Sequence, residues 1–254
     1  MGNHKKTPGD NYVQSLARGL AVIRTFGQET PRQTLSEVAA KAGLDRAGAR
    51  RLLLTLESLG YVRRQGREFF PTARILDLGY SYLATVPWWS MAESKMVELV
   101  DAVNESATLG VLDGTDIVLI ACVHSRNVLN VNLAVARRSP AYCTSIGRVL
   151  LGGLSEQALI RTLNECNLIK YQSNTTTSIP DLLRIIKRDR EKGWSMISQE
   201  YEKSLCSISV PLFSRTGQLL AAICVVGTPL RTSPKQMVET ILPKLKLTAQ
   251  RVWE

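Results

Sequence analysis

The residues best placed to do chemistry in this chain are two groups of arginines. Arg46, Arg50 and Arg51 stand with Ala47 at the start of a predicted helix, and Arg46 and Arg50 are one helical turn apart. Such a group can enter a DNA major groove, where Arg reads guanine O6 and N7 with two hydrogen bonds. Arg63, Arg64 and Arg67 flank Gln65-Gly66 in an alternating stretch, YVRRQGREFFP, and suit phosphate contacts that give affinity without sequence. A second chemistry is possible at Cys143-Thr144-Ser145-Ile146-Gly147. That run leads into a helix, whose free N–H groups and dipole favour a carboxylate.

The elements that must carry the arginines are legible. Thr34 and Glu37 have capping-box spacing, Gly43 stands where a left-handed helix end is needed, and Asp45 can cap the next helix. Val38, Ala39, Leu44, Ala49, Leu52, Leu53 and Leu56 recur at helical spacing as a buried side. A preceding helix over 12–27 carries Leu16, Leu20, Ile23 and Phe26 on one face, and 28–33 reads as a loop. Gln65-Gly66 sits at a hairpin turn. Three helices and a basic hairpin predict a winged helix-turn-helix.

Charge agrees with this division. The chain has 254 residues and a formal net charge of +10. Residues 1–75 hold 13 Lys+Arg against 6 Asp+Glu, and the remainder holds 19 against 16. The basic excess therefore lies with the predicted DNA-contacting unit, as phosphate neutralisation requires. No signal-like or membrane-length apolar run occurs, so no membrane association and a cytoplasmic location are expected. Five scattered cysteines without a CxxC pair suggest reduced thiols. Only His4 and His124 are present, so no metal site, no catalytic residues and no cofactor are expected.

Another amphipathic helix spans 72–84, Val86-Pro87 interrupts it, and 88–104 resumes helical spacing. From Ser106 the texture becomes strands: a hairpin turning at Asp113-Gly114, a third strand over 128–135, and three late strands over 194–201, 204–213 and 218–226. Helices are expected over 145–153, 155–166, 179–193 and 234–253. Antiparallel strands with helices on one side make an α+β domain. The predicted parts are a disordered tail (1–11), the winged unit (12–75), a linker helix (76–88) and a second domain (89–254).

The segments SLARGLAVIRTF (15–26), RRLLLTLESLGYV (50–62), VLDGTDIV (111–118), SPAYCTSIGRVLL (139–151) and SISVPLFSRTGQLLAAICV (207–225) together resemble IclR-type transcriptional regulators. They are most similar to the branch controlling aromatic-acid catabolism through the β-ketoadipate pathway. The resemblance implies a winged domain that pairs on palindromic double-stranded DNA. It also implies an effector-binding domain with a curved antiparallel sheet flanked by helices, forming a homodimer or a dimer of dimers. The implied effector is a small aromatic carboxylate held by the Ser145 and Ile146 amides. Ile197, Ser207, Cys224 and Val226 on facing strands, and Val128 and Val131 on the third strand, are further implied pocket positions. Where the family has Ser and Thr, this chain has Asp45 and Gly48. The branch reads Glu-x-Gly-Leu-Arg-Ser where this chain has Glu202-Lys203-Ser204-Leu205-Cys206-Ser207, which implies a changed ligand or a changed link between ligand and dimer geometry.

Three rival readings compete. The effector could be a non-aromatic organic acid. The second domain could be an enzyme with Cys143, Cys206 or Cys224 as nucleophile and His124 as base, although no GxSxG or metal motif supports one. The chain could also be a nonspecific DNA binder, which its charge-balanced, strand-rich second part argues against.

Overall fold

The computed structural model describes residues 11–27, 29–126 and 133–254. Contacts divide the chain into two compact units, with the boundary between Thr85 and Val86. The expected tail lies outside the described residues apart from Asn11, and so do Val128, Val131 and most of the expected third strand.

In the first unit, α1 (Gln14–Ile23) is followed by the short strand β1 (Gln33–Thr34), α2 (Leu35–Ala42), α3 (Arg46–Ser58), β2 (Val62–Gln65), β3 (Glu68–Pro71) and, after a 3-10 turn at Ala73–Ile75, α4 (Leu76–Leu83). The local signals act as their chemistry dictates. The Glu37 N–H donates to Thr34 Oγ1 at 3.4 Å, and the Thr34 N–H donates to Glu37 Oε2 at 2.7 Å. Gly43 turns the chain at φ 64°, a left-handed conformation that only glycine adopts without steric cost. Asp45 accepts from the Gly48 N–H at 2.6 Å. Val22, Val38, Leu53, Leu56, Val62 and Phe69 form the core.

Two expectations for this unit need correction. The end of the predicted 28–33 loop is a strand, because Gln33 pairs with Phe69 and Thr34 with Glu68, so the wing is three-stranded in the order β1-β3-β2. The apolar face predicted for α1 is also split. Ile23 and Phe26 pack on the core, but Leu16 is 64% and Leu20 42% exposed, while Val22 is fully buried. α4 has no buried residue at all, and Leu76, Leu78, Tyr80 and Tyr82 are exposed.

The second unit runs α5 (Trp88–Val103), β4 (Ser106–Asp113), β5 (Asp116–Val123), β6 (Arg138–Pro140), α6 (Ser145–Gly152), α7 (Glu156–Glu165), α8 (Ile179–Lys192), β7 (Ser195–Ser198), β8 (Cys206–Phe213) and β9 (Leu219–Gly227). α9 (Pro234–Gln236), a π-helical turn and α10 (Leu242–Arg251) end it. Six antiparallel strands lie in the order β6-β5-β4-β9-β8-β7. The strand β6 occupies what was expected to be loop.

Helices cover both faces of this sheet rather than one. Ala221 to Gly227 are buried at successive positions, and alternate strand residues point to opposite faces. Ala222, Cys224 and Val226 pack with Ile146 and Leu150 of α6, whereas α5 packs on β4 and β5, and α10 on β8 and β9. Among the described residues no helix is long and apolar enough to cross a membrane.

Of the α6 glycines, Gly147 leaves the least room for a side chain. A Cβ there would lie 2.0 Å from the Ala141 carbonyl oxygen. Gly147→Ala should therefore destabilise the second unit by about 3 kcal/mol or more, since the obstruction is backbone. Urea unfolding monitored in that unit checks this, and an unchanged midpoint would mean α6 is free to shift.

Candidate effector pocket and DNA-contacting surface

The DNA-contacting candidates begin where α3 begins. Asp45 is held by its cap to Gly48, so its carboxylate is turned back onto the helix end. Arg46, Ala47, Arg50 and Arg51 are all exposed on α3. Arg63, Arg64 and Arg67 are exposed on the wing, with Gly66 at φ 61° completing the turn. They are not equivalent. The Arg63 guanidinium lies 4.2 Å from the Phe70 ring centre, and Arg32 approaches the same ring at 5.3 Å. Stacking of this kind holds a cation in place without removing its charge. Sequence reasoning missed Arg32, whose only signal was its position just before a strand that pairs with the wing.

The pocket candidate is built around the N-terminus of α6. Thr144 caps the helix by accepting from the Gly147 N–H at 3.2 Å. An α-helix leaves its first N–H groups without intrahelical partners, and here those belong to Ser145 and Ile146. Ser145 and Ile146 line a cavity of about 70 Å³, and Ile197, Ser207, Cys224 and Val226 line it too. Six of the eight residues expected at an effector site thus share one cavity, and the other two lie outside the described residues. At roughly 10–15 Å³ per water position, the cavity suits a compact molecule rather than a long chain.

Its base is a hydroxyl cluster. Ser145 Oγ lies 2.8 Å from Ser207 Oγ and 2.7 Å from Ser209 Oγ, with Cys224 Sγ at 3.6 Å. The register explains this, because Ser207 pairs with Val226 and Ser209 with Cys224 across β8 and β9. Hydroxyls can donate or accept, so the cluster can reorient towards a polar ligand.

Side chains that the sequence reading did not assign to the pocket complete the site. β7 stops at Ser198, earlier than expected, because Gln199 turns the chain at φ 55° and its N–H donates to the Leu205 carbonyl at 2.7 Å. That turn presents Glu200 to Arg148 of α6. Arg148 Nη1 and Nη2 donate to the two Glu200 carboxylate oxygens at 2.8 and 2.6 Å, and Nε donates to the Tyr142 carbonyl at 3.1 Å. Two residues on, Tyr201 and Glu202 line the cavity, and Glu202 receives Arg137 Nη2 at 2.6 Å. Arg137 and Glu202 are 65 residues apart in sequence, which is why no local pattern could join them.

The thiols do not support the nucleophile reading. Burial pushes the Cys143 thiol up to about 12 and those of Cys122 and Cys206 to about 11. Burial also raises Cys224. A nucleophilic cysteine needs the opposite shift. His124 is exposed just beyond β5. Among the described residues no His, Cys, Asp and Glu cluster could hold a metal.

A winged helix-turn-helix joined to a domain with a small pocket is the arrangement of a DNA-binding transcriptional regulator. The chain belongs to the IclR family: residues 15–66 match the IclR helix-turn-helix domain, and 80–253 match the bacterial transcriptional regulator IclR C-terminal domain. It is 35% identical over 246 residues to the Pca regulon regulatory protein of Pseudomonas putida, covering 96% of this chain and 84% of that protein. It is 28% identical over 248 residues to the p-hydroxybenzoate hydroxylase transcriptional activator of Acinetobacter baylyi, covering 96% of this chain and 92% of the relative. A transcriptional regulator from a Rhodococcus species has the same fold, with TM-score 0.84 and 39% identity over 95% of this chain and 97% of the other. The family is one of regulators, not enzymes.

The buried Arg148–Glu200 pair makes a direct prediction. Glu200→Ala would leave an unpaired guanidinium in the core and should cost about 3–5 kcal/mol. Chemical denaturation checks this. A loss below about 1 kcal/mol, the range of a surface pair, would show that water reaches Arg148.

Proposed function

We propose that this regulator is controlled by a small aromatic carboxylic acid bound in the second unit. The observation that carries the reading is the cavity at the start of α6, where the Ser145 and Ile146 amides meet the Ser207 hydroxyl and the apolar walls Ile197, Cys224 and Val226. The amides and helix dipole suit one carboxylate, while the walls suit a ring. The relatives named above, one of them an activator of p-hydroxybenzoate hydroxylase, support an aromatic acid over another organic acid. The effector shifts an equilibrium between two arrangements of the dimer by its differential affinity for them, typically about 1–3 kcal/mol.

On the DNA side, Arg46, Ala47, Arg50 and Arg51 read base edges of a palindromic operator, and Arg63, Arg64 and Arg67 neutralise phosphates. A second copy of the chain supplies the other half-site. The exposed apolar residues of α1 and α4, Leu16, Leu20, Leu76, Leu78, Tyr80 and Tyr82, support such pairing, because apolar patches of this kind mark interaction surfaces. Dimers of dimers follow the family pattern.

Two measurements test this reading. Titration with hydroxybenzoates should raise the melting temperature. A hundredfold excess over Kd contributes about 2.7 kcal/mol, which is roughly 5–10 °C for a domain of this size. No shift with any aromatic acid would remove the ligand class. Arg50→Ala should weaken operator binding by about 1–3 kcal/mol while leaving random-DNA binding nearly unchanged. Equal losses on both would assign Arg50 to the phosphate backbone.

A further inference from the structure

The sheet order places β6 and β7 at opposite edges. Adjacent strands lie about 4.8 Å apart, so five spacings would separate those edges by roughly 24 Å in a flat sheet. Yet Arg137, immediately before β6, donates to Glu202, just beyond β7, at 2.6 Å. The Arg137 backbone is fixed to the sheet, since its carbonyl accepts from the Leu119 N–H of β5 at 3.0 Å. Glu202 is fixed through its own turn, where its carbonyl accepts from the Leu205 N–H at 3.1 Å. The sheet is therefore curved enough for the segments beyond its two edges to reach each other through these side chains, and the ion pair clasps them beside the cavity. Both side chains line that cavity and are partly open, at 24% and 28% exposure.

We propose that the Arg137–Glu202 clasp is a specificity filter, which admits an acid carrying one carboxylate and a neutral polar substituent and turns away a dicarboxylate. This inference rests on the aromatic-acid reading above and takes the ligand's second polar substituent to be the part that meets the clasp. The argument is one of charge. Among the described residues lining the cavity, Arg137 and Glu202 are the only charged side chains, and each compensates the other. The remaining positive pole is the α6 N-terminus, equivalent to about half an elementary charge, which suits a single carboxylate. A second carboxylate drawn to Arg137 would lie beside the Glu202 carboxylate, placing one guanidinium between two anions. Like charges brought together in a partly desolvated site are strongly unfavourable. A ring hydroxyl meets no such obstacle, because it can donate to Glu202 while the pair stays closed.

Calorimetric titration of the full chain with three para-substituted benzoates tests the filter. 4-Hydroxybenzoate, terephthalate and 4-nitrobenzoate are chosen because a nitro group matches a carboxylate in shape without its charge. Terephthalate should bind at least about tenfold more weakly than the other two, a difference easily resolved in Kd. Glu202→Gln should strengthen terephthalate by about tenfold while moving 4-nitrobenzoate little, because the anion beside the second carboxylate is then gone. Arg137→Gln opens the same clasp but removes the cation and keeps the Glu202 anion, and should bring no such gain. The filter is overturned if 4-nitrobenzoate is rejected as strongly as terephthalate, which would make the barrier steric. It is also overturned if terephthalate binds the unaltered protein within about threefold of 4-hydroxybenzoate, or if both variants gain it equally. Binding of none of the three acids would instead remove the aromatic-acid reading, and the filter with it.

Discussion

The second unit depends on a buried ion pair. Arg148 and Glu200 are almost completely removed from water, at 3% and 11% side-chain exposure, and they meet through two parallel hydrogen bonds. Burying two charges is costly, and only full pairing makes it tolerable. The guanidinium is further satisfied because Arg148 also donates to the Tyr142 carbonyl, and Thr175 holds the Glu200 backbone by donating to its main-chain carbonyl. The α6 helix, the turn after β7 and the 3-10 turn Ala141–Cys143 before α6 must therefore hold one mutual geometry. That geometry brings the α6 N-terminus and the β8 hydroxyls to the same cavity.

Two acids on one loop consequently have opposite roles. Glu200 anchors the loop from below, where breaking the bond would strand a charge. Glu202 meets Arg137 where water can still replace either partner, and such pairs contribute little to stability. A loop held firmly at one residue and loosely two residues later can alter its surface without losing its position. The first unit works differently. Its core is small, and side-chain caps at Thr34 and Asp45 define its helix ends rather than deep burial. It leaves apolar residues of α1 and α4 in the open.

Legibility followed the range of the interactions. The capping box at Thr34 and Glu37, the left-handed Gly43, the Asp45 cap and the Gln65-Gly66 turn are all local, and each was readable within a few residues. The strands around Asp113-Gly114 and Arg215-Thr216-Gly217 were readable for the same reason. Helical cover of the sheet was expected on one side only, although LLAAICVV has no alternation and a strand buried on one face would show it. The early stop of β7 was not legible, because Gln199 carries no turn signal and adopts its left-handed conformation under tertiary constraint.

The amino-acid sequence by itself determined the two-part organisation, the winged reader with its exposed arginines, and the helix start at Ser145 and Ile146. Each of these follows from periodicity, caps and turns acting over short distances. Only the tertiary structure decided what surrounds that helix start. Curling the sheet brought Arg137 to Glu202, pairing β8 with β9 aligned Ser207 and Ser209 under Ser145, and burial selected Glu200 as the partner of Arg148. These residues are tens of positions apart, and their meeting depends on strand register and sheet curvature, which no single stretch of chain encodes.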